Sequence, residues 1–299
     1  MSIDVVDYCA GIGGWDVALQ KAGLRGAGIE NALWPRIARQ LNGLTTVHDD
    51  LLTFPKAWQK YDWAGAVGSF PCQPFSQNIK GAKAAAMLED PRARLMLTGL
   101  RHLKVMLPPF VCLENVSKAS VVMNVLAGEL RKLGYSADVK VINAADYGLP
   151  QTRKRALLVA RRDGLPIVWP EPTHAKDGAN GLLPWVTLSE AVGRTFEGLQ
   201  SWGNDVPCVT VVGSYHPQMH APPVYRGHGA VSRQNDPGAI ELSLEERLLI
   251  QGFPKGWKLA GPETAQGLQV GNAIPPVLAE VALEAVGALS INPVWRLAA

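Results

Sequence analysis

Cys72 is the side chain of this sequence whose setting is most typical of a nucleophile. It lies in the stretch GSFPCQPFSQ (residues 68–77), between Pro71 and Pro74, and follows an apolar run at Trp63–Val67 that predicts a strand. Because proline fixes its own φ angle, the two prolines present the thiol on a stiff loop at the end of that strand. The alternative is a buried cysteine that packs as a small hydrophobe.

A second group of candidates suggests a nucleotide-like ligand. The segment DYCAGIGG (Asp7–Gly14) follows the first predicted strand and opens the first predicted helix, where glycines and free N–H groups let a ligand approach the backbone. Glu30 ends the second predicted strand, at the distance where an acid reaches a ribose hydroxyl in nucleotide-binding folds, and Asp50 follows the third. Simple solvation of strand ends is the alternative for both acids.

Basic residues are grouped rather than spread. Six Lys and Arg residues lie between Lys80 and Lys104, and a second group spans Arg153–Arg162, although the formal net charge is only +3. Such groups either contact phosphates or form solvated faces.

The elements that must position these residues alternate between strand and helix. Apolar runs predict strands at Ile3–Cys9, Arg25–Glu30, Thr45–Asp49, Trp63–Val67, Phe110–Asn115, Ala137–Asn143 and Arg155–Ala160, with helices at Trp15–Ala22 and Ala119–Leu133. This order predicts an α/β fold with a doubly wound, mostly parallel sheet.

The composition and periodicity of the chain change near Pro166. Residues 166–240 are rich in Pro, Gly and His, which predicts a small loop-rich domain, and helical periodicity returns at Leu242–Ile250 and Pro276–Leu289. We therefore expect a first domain at 1–165, a second at 166–240, and a return to the first at 241–299. The composition, with 47% hydrophobic and 18% charged residues, is that of an ordinary globular protein.

The sequence also argues against a zinc-binding, disulfide-rich, secreted or membrane-spanning protein. The four cysteines form no CxxC pair, which argues against zinc and disulfides and is typical of a reducing cytoplasm. The N-terminus has no basic region of a signal peptide, and no apolar stretch reaches membrane-spanning length. His216 and His220 are four apart, but Pro217 makes helical metal-ligand spacing unfavourable, so we expect no metal.

Six segments, taken together and in this order, resemble the motifs of the DNA (cytosine-5)-methyltransferase family over nearly the whole chain. They are DYCAGIGG (7–14), GSFPCQPFS (68–76), CLENV (112–116), ADYGLPQTRKR (145–155), LSLEERLLIQGFP (242–254) and QVGNAIPP (269–276). A weaker match is DPRARL (90–95).

The resemblance implies a Rossmann-like methyltransferase domain, a target-recognition domain and an S-adenosylmethionine site, with S-adenosylhomocysteine as the product. By motif, the cofactor residues are Asp7, Cys9, Ala10, Gly11, Ile12, Gly14, Glu30, Asn31, Asp50, Leu51, Pro71, Leu95, Asn272 and Ala273. The family commonly has Phe where this chain has Cys9, and Trp34 lies three residues beyond the place of a substitute aromatic. We expect rearranged adenine packing. The arginine that begins the ninth motif in the family is also absent.

The resemblance further implies how cytosine is activated. The Cys72 thiolate would add to carbon 6, and Glu114 would donate or share a proton at N3, which requires a raised pKa. Arg155 would bind O2 of the base, with Arg153 positioning the same site or a phosphate. The alternative for Glu114 is a helix-capping acid, and the alternative for the two arginines is a phosphate-facing surface.

DNA contacts are expected on both sides of a base that is flipped out of the duplex. The predicted residues are Gln73, Ser76, Lys80, Lys83, Gln151, Arg226 and Arg233, with a mobile loop at 76–83 closing over the base. We expect a monomer acting on double-stranded DNA in a bacterial or phage-infected cytoplasm, away from membranes, with a restriction endonuclease as a possible companion. A tRNA cytosine methyltransferase and an inactive DNA-binding homologue are the alternatives.

Overall fold

Seven strands form the main sheet of the protein. The computed structural model describes residues 4–71, 93–212, 218–219 and 239–289. The strands are β1 (Asp4–Tyr8), β2 (Arg25–Ile29), β3 (Thr45–His48), β4 (Gly65–Ser69), β5 (Phe110–Val116), β6 (Ser136–Asn143) and β7 (Lys154–Arg161). Their order is β3-β2-β1-β4-β5-β7-β6; β7 is antiparallel to both neighbours and the other pairs are parallel. The predicted mostly parallel, doubly wound sheet is confirmed.

Helices cover both faces of this sheet. They are α1 (Gly14–Lys21), α2 (Leu33–Leu41), α3 (Arg94–Met106), α4 (Ser120–Lys132), α5 (Leu188–Val192), α6 (Leu244–Ile250), α7 (Glu263–Asn272) and α8 (Pro276–Ala285). Alternate residues of a strand point to opposite faces, and Val5 of β1 packs with α1 and α8 while Val6 packs with α3 and α4. No helix in the described ranges is long and apolar enough to cross a membrane.

The described part of the segment after β7 has little regular structure, as its prolines predict. It contains the short strands β8 (His174–Ala175) and β9 (Leu183–Pro184), the five-residue helix α5, and further along β10 (Gln218–Met219) paired with β11 (Ile240–Glu241). Leu188 and Trp202 of this segment share a hydrophobic cluster with Leu248 and Phe253. This core therefore crosses the predicted boundary at residue 240, and the three predicted domain ranges stay a prediction.

Besides the five-residue α5, three helices of the described ranges were not predicted, and the causes are local. The helix α7 reads ETAQGLQVGN, where two glycines and an asparagine interrupt the apolar spacing. The helices α2 and α3 carry basic and polar residues that obscure their buried stripes. The strand β4 begins at Gly65 rather than Trp63, because the Trp63 backbone N–H donates to Tyr61 in a turn.

Two glycines in helix interiors provide a matched pair of stability tests. A Cβ on Gly99 of α3 would lie 2.5 Å from the ring of Phe70, whereas a Cβ on Gly128 of α4 would meet nothing within 4 Å. We expect Gly99→Ala to lower the free energy of unfolding by about 1–2 kcal/mol through overpacking. Gly128→Ala should raise it by about 0.5–1 kcal/mol through backbone entropy.

Urea unfolding of both variants and the wild type measures this difference. Equal stabilisation by the two substitutions would contradict the close packing of Phe70 on α3.

Candidate active site

The carboxyl ends of the central parallel strands meet at one edge of the sheet, beside a cavity of about 590 Å³. Because β7 runs antiparallel to β5, its first residues lie at the same edge, with Arg155 opposite Val116. The cavity walls come from the loop after β1, the ends of β2 through β5, the start of β7, residues 210–212 and residues 265–274. Ligands of open α/β sheets bind at this edge.

The loop after β1 forms one end of the cavity and has an unusual backbone. Cys9, Gly11 and Gly13 have positive φ angles of 57°, 53° and 99°. A left-handed conformation costs a non-glycine residue such as Cys9 about 1 kcal/mol, so the surroundings must hold the loop in place. The Ala10 N–H donates to the Ile29 carbonyl (3.1 Å), and the Gly13 N–H donates to the Ala10 carbonyl (3.1 Å).

Glu30 connects this loop to the end of β2. Its Oε2 accepts from the Gly11 N–H (2.8 Å) and its Oε1 accepts from the Ala32 N–H (2.9 Å). A carboxylate has about four acceptor positions, so each oxygen keeps capacity for a ligand hydroxyl. Glu30 lines the cavity and is largely buried.

The side of the cavity next to α2 and β3 is partly apolar. Leu51 is buried there, and Asp50 caps the short turn Leu51–Thr53 by accepting from the Leu52 N–H (2.9 Å). The Trp34 side chain lines the same side and packs on Gly261, where a Cβ would lie 2.5 Å from the indole ring. Trp34 therefore supplies an aromatic face, despite its displacement of three residues along the sequence.

Glu114 and Arg155 form the other end of the cavity. Arg155 Nε lies 3.0 Å from Glu114 Oε1, and both side chains are largely shielded from solvent. Arg155 Nη1 also donates to the Lys154 carbonyl (2.9 Å). These bonds use two of the five N–H donors of a guanidinium. A planar ligand placed here would meet a carboxyl group and guanidinium donors side by side.

The chain that leads to Cys72 is fixed beside this pair. Ser69 of β4 lies opposite Glu114 of β5, and the Asn115 amide donates to the Phe70 carbonyl (3.0 Å). Pro71 lines the cavity. Cys72 lies outside the described residues, as do Gln73, Ser76, Lys80, Lys83, Arg226 and Arg233. The last described residue before Cys72 therefore lies at the end of the cavity that holds Glu114 and Arg155.

Comparison with known proteins agrees with this arrangement. The family model for the C-5 cytosine-specific DNA methylase matches residues 3–183 and 197–288. The chain belongs to this family. The methylase is 29% identical to a Type II methyltransferase, M1.HphI of Haemophilus parahaemolyticus, over 98% of this chain and 88% of that protein. It is 28% identical to M.NgoMIV of Neisseria gonorrhoeae over 94% and 96% of the two chains.

Solved structures share the fold. A putative DNA modification methyltransferase from an Escherichia coli prophage superposes with a TM-score of 0.67 at 19% identity, covering 96% of this chain and 99% of that chain. The Entamoeba histolytica methyltransferase EhMeth superposes with a TM-score of 0.72 at 16% identity, covering 95% and 98%. The methylase is accordingly an enzyme of the DNA cytosine-5-methyltransferase class.

Most cofactor residues predicted from the motifs line the cavity of the methylase. They are Cys9, Ala10, Gly11, Ile12, Gly14, Glu30, Asn31, Asp50, Leu51, Pro71, Leu95, Asn272 and Ala273. Their contact with a cofactor stays a prediction. Burial raises the pKa of the Cys9 thiol, with Glu30 and Asp7 adding to the effect, so Cys9 stays a neutral thiol in this wall.

Gln151 and Arg153 are both buried, and their predicted roles at the DNA and beside the base stay predictions. Gln151 is fully buried; its amide donates to Gln251 Oε1 (2.9 Å) and accepts from the Val211 N–H (3.0 Å). It therefore connects two chain segments in the interior.

Arg153 is almost fully buried, although its side chain borders the cavity. Its guanidinium donates to the carbonyls of Val211 (2.8 Å), Gly271 (2.9 Å) and Ala273 (3.2 Å). In this position it holds the segment 208–212 against the cofactor-side segment 271–273. Arginine and glutamine side chains each carry several hydrogen-bonding groups, so each can bond groups from separate segments of the chain.

Other cavity residues were not predicted from the sequence. Trp15, Asn115, Thr210, Val211, Val212, Leu268, Gln269 and Ile274 line the walls. Asn115, Gln269 and Ile274 had a signal, because they belong to the matched segments CLENV and QVGNAIPP. The remaining residues reach the site through long-range packing.

Asp7, also predicted in the cofactor site, lies beneath the loop rather than in the cavity wall. It is completely buried, and neither carboxyl oxygen has a hydrogen-bond partner among the described residues. Burial, reinforced by the charge of Asp16, raises the pKa of the Asp7 carboxyl well above its usual range, although Arg39 opposes this. Asp7 is therefore a buried, neutral carboxyl group below the loop and outside the cavity wall.

Because the pKa of Asp7 is raised in the folded protein, its contribution to the free energy of unfolding should depend on pH. The unfolded chain releases the Asp7 proton near pH 4, whereas the folded chain keeps it to higher pH. The stabilising contribution of this group is thus fully present below about pH 4 and is lost as pH rises through the folded-state pKa. Asp7→Asn removes this loss, so its stability relative to wild type should increase with pH by up to about 1.4 kcal/mol per unit in that interval.

Urea unfolding at several pH values between 4 and 8 measures the effect. A stability difference that is independent of pH would show that Asp7 is ionised in the folded protein.

Proposed function

We propose that this chain transfers a methyl group from S-adenosylmethionine to carbon 5 of a cytosine that is flipped out of double-stranded DNA, through a covalent bond between Cys72 and carbon 6. One observation carries the proposal. A single cavity connects the glycine loop and Glu30 with Glu114, Arg155 and the start of the Cys72 loop. A donor and an acceptor bound at its two ends would lie next to each other.

The cofactor end fits S-adenosylmethionine in its donor set. The whole cavity, of about 590 Å³, lies within the usual range of small-molecule sites. Glu30 has acceptor capacity for ribose hydroxyls, Trp34 and Leu51 offer apolar surface for the adenine, and Asn272 and Ala273 border the remainder. When bound, S-adenosylmethionine supplies an electrophilic methyl group.

The Glu114 end fits a cytosine. Carbon 5 of cytosine is a poor nucleophile, and addition of the Cys72 thiolate to carbon 6 makes it enamine-like. As the S–C6 bond forms, an electron pair moves into the ring; Glu114 donates or shares a proton at N3, and Arg155 donates to O2. Carbon 5 then takes the methyl group, and the electron pair of the broken methyl–sulfur bond stays on S-adenosylhomocysteine, which leaves. The proton on carbon 5 goes to a base, its electron pair re-forms the C5–C6 double bond, and the S–C6 electron pair returns to sulfur. The N3 proton returns to Glu114.

The DNA substrate is the part of the proposal that rests most on the relatives. The target carbon is inaccessible inside a duplex, so the base must leave the stack at a cost of a few kcal/mol. Lys80 and Lys83 would contact phosphates, and residues 166–240, including Arg226 and Arg233, would read the sequence. Because the curated relatives are Type II methyltransferases, we place the activity in a cytoplasmic restriction–modification setting.

Glu114→Gln tests the assigned chemistry. The amide cannot deliver a proton to N3, so turnover should fall by about 10²- to 10⁴-fold, while binding of S-adenosylhomocysteine should be unchanged. Glu129→Gln is the matched control, because Glu129 is a surface acid that pairs with Lys104 and Lys132. Cys72→Ser should abolish transfer.

The assay uses tritiated S-adenosylmethionine with mixed duplex DNA and, in parallel, tRNA. Modified bases are then mapped by bisulfite or nanopore sequencing. Transfer that survives Cys72→Ser or Glu114→Gln would overturn the mechanism, and transfer to tRNA alone would overturn the substrate.

A further inference from the structure

Arg39 of α2 is completely buried beneath the loop after β1 and uses all its hydrogen-bond donors. Nε donates to Thr46 Oγ1 (3.1 Å). Nη1 donates to Asp16 Oδ2 (2.7 Å) and the Ala10 carbonyl (3.3 Å). Nη2 donates to Asp16 Oδ1 (3.2 Å) and the Thr45 carbonyl (2.9 Å). Five N–H groups thus meet five acceptors, which is the full capacity of a guanidinium.

The neighbouring strand β2 leaves room for this pair by having glycines. A Cβ on Gly28 would overlap the Arg39 guanidinium, and a Cβ on Gly26 would overlap the Asp16 carboxylate. The strand β2, with the sequence RGAGI, therefore has glycine at two positions inside the sheet, where glycine weakens a strand because it has no side chain to pack. The buried ion pair needs this space.

Stability alone is a weak reason to keep such a pair. The desolvation of two buried charges offsets much of their attraction, and apolar replacements are often as stable. Arg39 differs from an isolated pair because one of its acceptors is the carbonyl of Ala10, which lines the cavity. It connects α1, α2 and the start of β3 to a single backbone group of the proposed cofactor loop.

Among the described residues, Arg39 is the side chain from outside the loop that bonds the Ala10 carbonyl; the other side chains that hold the loop bond different residues of it. Glu30 holds the Gly11 N–H, and Trp257 Nε1 donates to the Ile12 carbonyl (3.2 Å). The Ala10 carbonyl is otherwise bonded to the Gly13 N–H within the loop itself. Cys9, immediately before Ala10, has a left-handed backbone that the surroundings must maintain.

We propose that Arg39, oriented by Asp16, is a positioning residue for S-adenosylmethionine: it holds the Ala10 carbonyl, and with it the loop Cys9–Gly13, in the conformation that binds the cofactor. The identity of the ligand rests on the proposed function. Arg39 touches no substrate and acts through the loop backbone. Its loss should weaken cofactor affinity and leave the methyl-transfer step unchanged.

Arg39→Lys and Gly28→Ala test this role from two directions. Lysine keeps the charge, but an ammonium has three donors on one atom and cannot serve Asp16, Thr45 and Ala10 in the same geometry. Alanine at position 28 keeps both charged groups and displaces the guanidinium through its Cβ. We expect each variant to raise the dissociation constant of S-adenosylhomocysteine about 10-fold, with kcat at saturating S-adenosylmethionine within about 2-fold of wild type.

Arg25→Lys is the matched control. Arg25 begins the same strand and pairs with Asp4 (2.6 Å), but it is exposed and lies at the amino end of the sheet, opposite the cavity. It should bind S-adenosylhomocysteine as the wild type does.

Isothermal titration calorimetry with S-adenosylhomocysteine, below the unfolding temperature of each variant, separates the outcomes. A purely structural role would lower the binding stoichiometry through partial unfolding and leave the dissociation constant unchanged, which would overturn the inference. Wild-type affinity in both variants would also overturn it, while leaving the proposed function intact. Absence of binding to the wild-type protein would instead overturn the proposed function and, with it, this inference.

Discussion

The close approach of the loop after β1 to the segment at residues 271–274 is the constraint on which the rest of this structure depends. A Cβ on Gly14 would overlap the Ile274 carbonyl, so glycine is required where α1 begins. The contact brings together parts of the chain that are some 260 residues apart in the sequence numbering. It closes the cavity on one side, and it places α8 against α1 on one face of the sheet. The C-terminal helix α8 thus belongs to the same hydrophobic core as α1 and the sheet.

Buried polar groups hold this arrangement, and each joins backbone segments distant in sequence. Arg153 and Gln251 both donate to the Ala273 carbonyl, Trp257 donates to Ile12, and Arg39 donates to Ala10. Unsatisfied buried carbonyls would cost about 1–3 kcal/mol each, so every such donor both stabilises the fold and fixes the shape of the cavity. The strained backbone at Cys9 and the open acceptor positions of Glu30 exist within this rigid frame. The hydrogen bonds of the protein interior therefore determine the positions of the few cavity atoms that would bind ligands and take part in chemistry.

The sequence predicted the elements whose signal is local and missed those that depend on distant partners. The apolar runs of β1, β2, β3 and β5 locate these strands to within about a residue or two, and three residues that the matched motifs single out, Glu30, Glu114 and Arg155, line one cavity. The burial of Gln151 and Arg153 had no local signal, because the groups that they bond lie in segments that sequence spacing cannot bring together. Arg39 gave no signal, since Asp16 and Ala10 are 23 and 29 residues away. Periodicity also fails where buried glycines, as in α7, replace the apolar residues that it counts.

The central claim is a covalent bond between Cys72 and carbon 6 of cytosine during methyl transfer, and trapping this bond tests it most directly. Duplex DNA containing 5-fluorocytosine has fluorine in place of the proton that must leave carbon 5; fluorine does not leave as a cation, so the sulfur cannot be expelled after methylation. Mass spectrometry of the denatured mixture, followed by peptide mapping, should show a DNA adduct on the peptide that contains Cys72, formed only when S-adenosylmethionine is present. An adduct on Cys9, Cys112 or Cys208, or no adduct from a preparation that methylates ordinary DNA, would contradict the account.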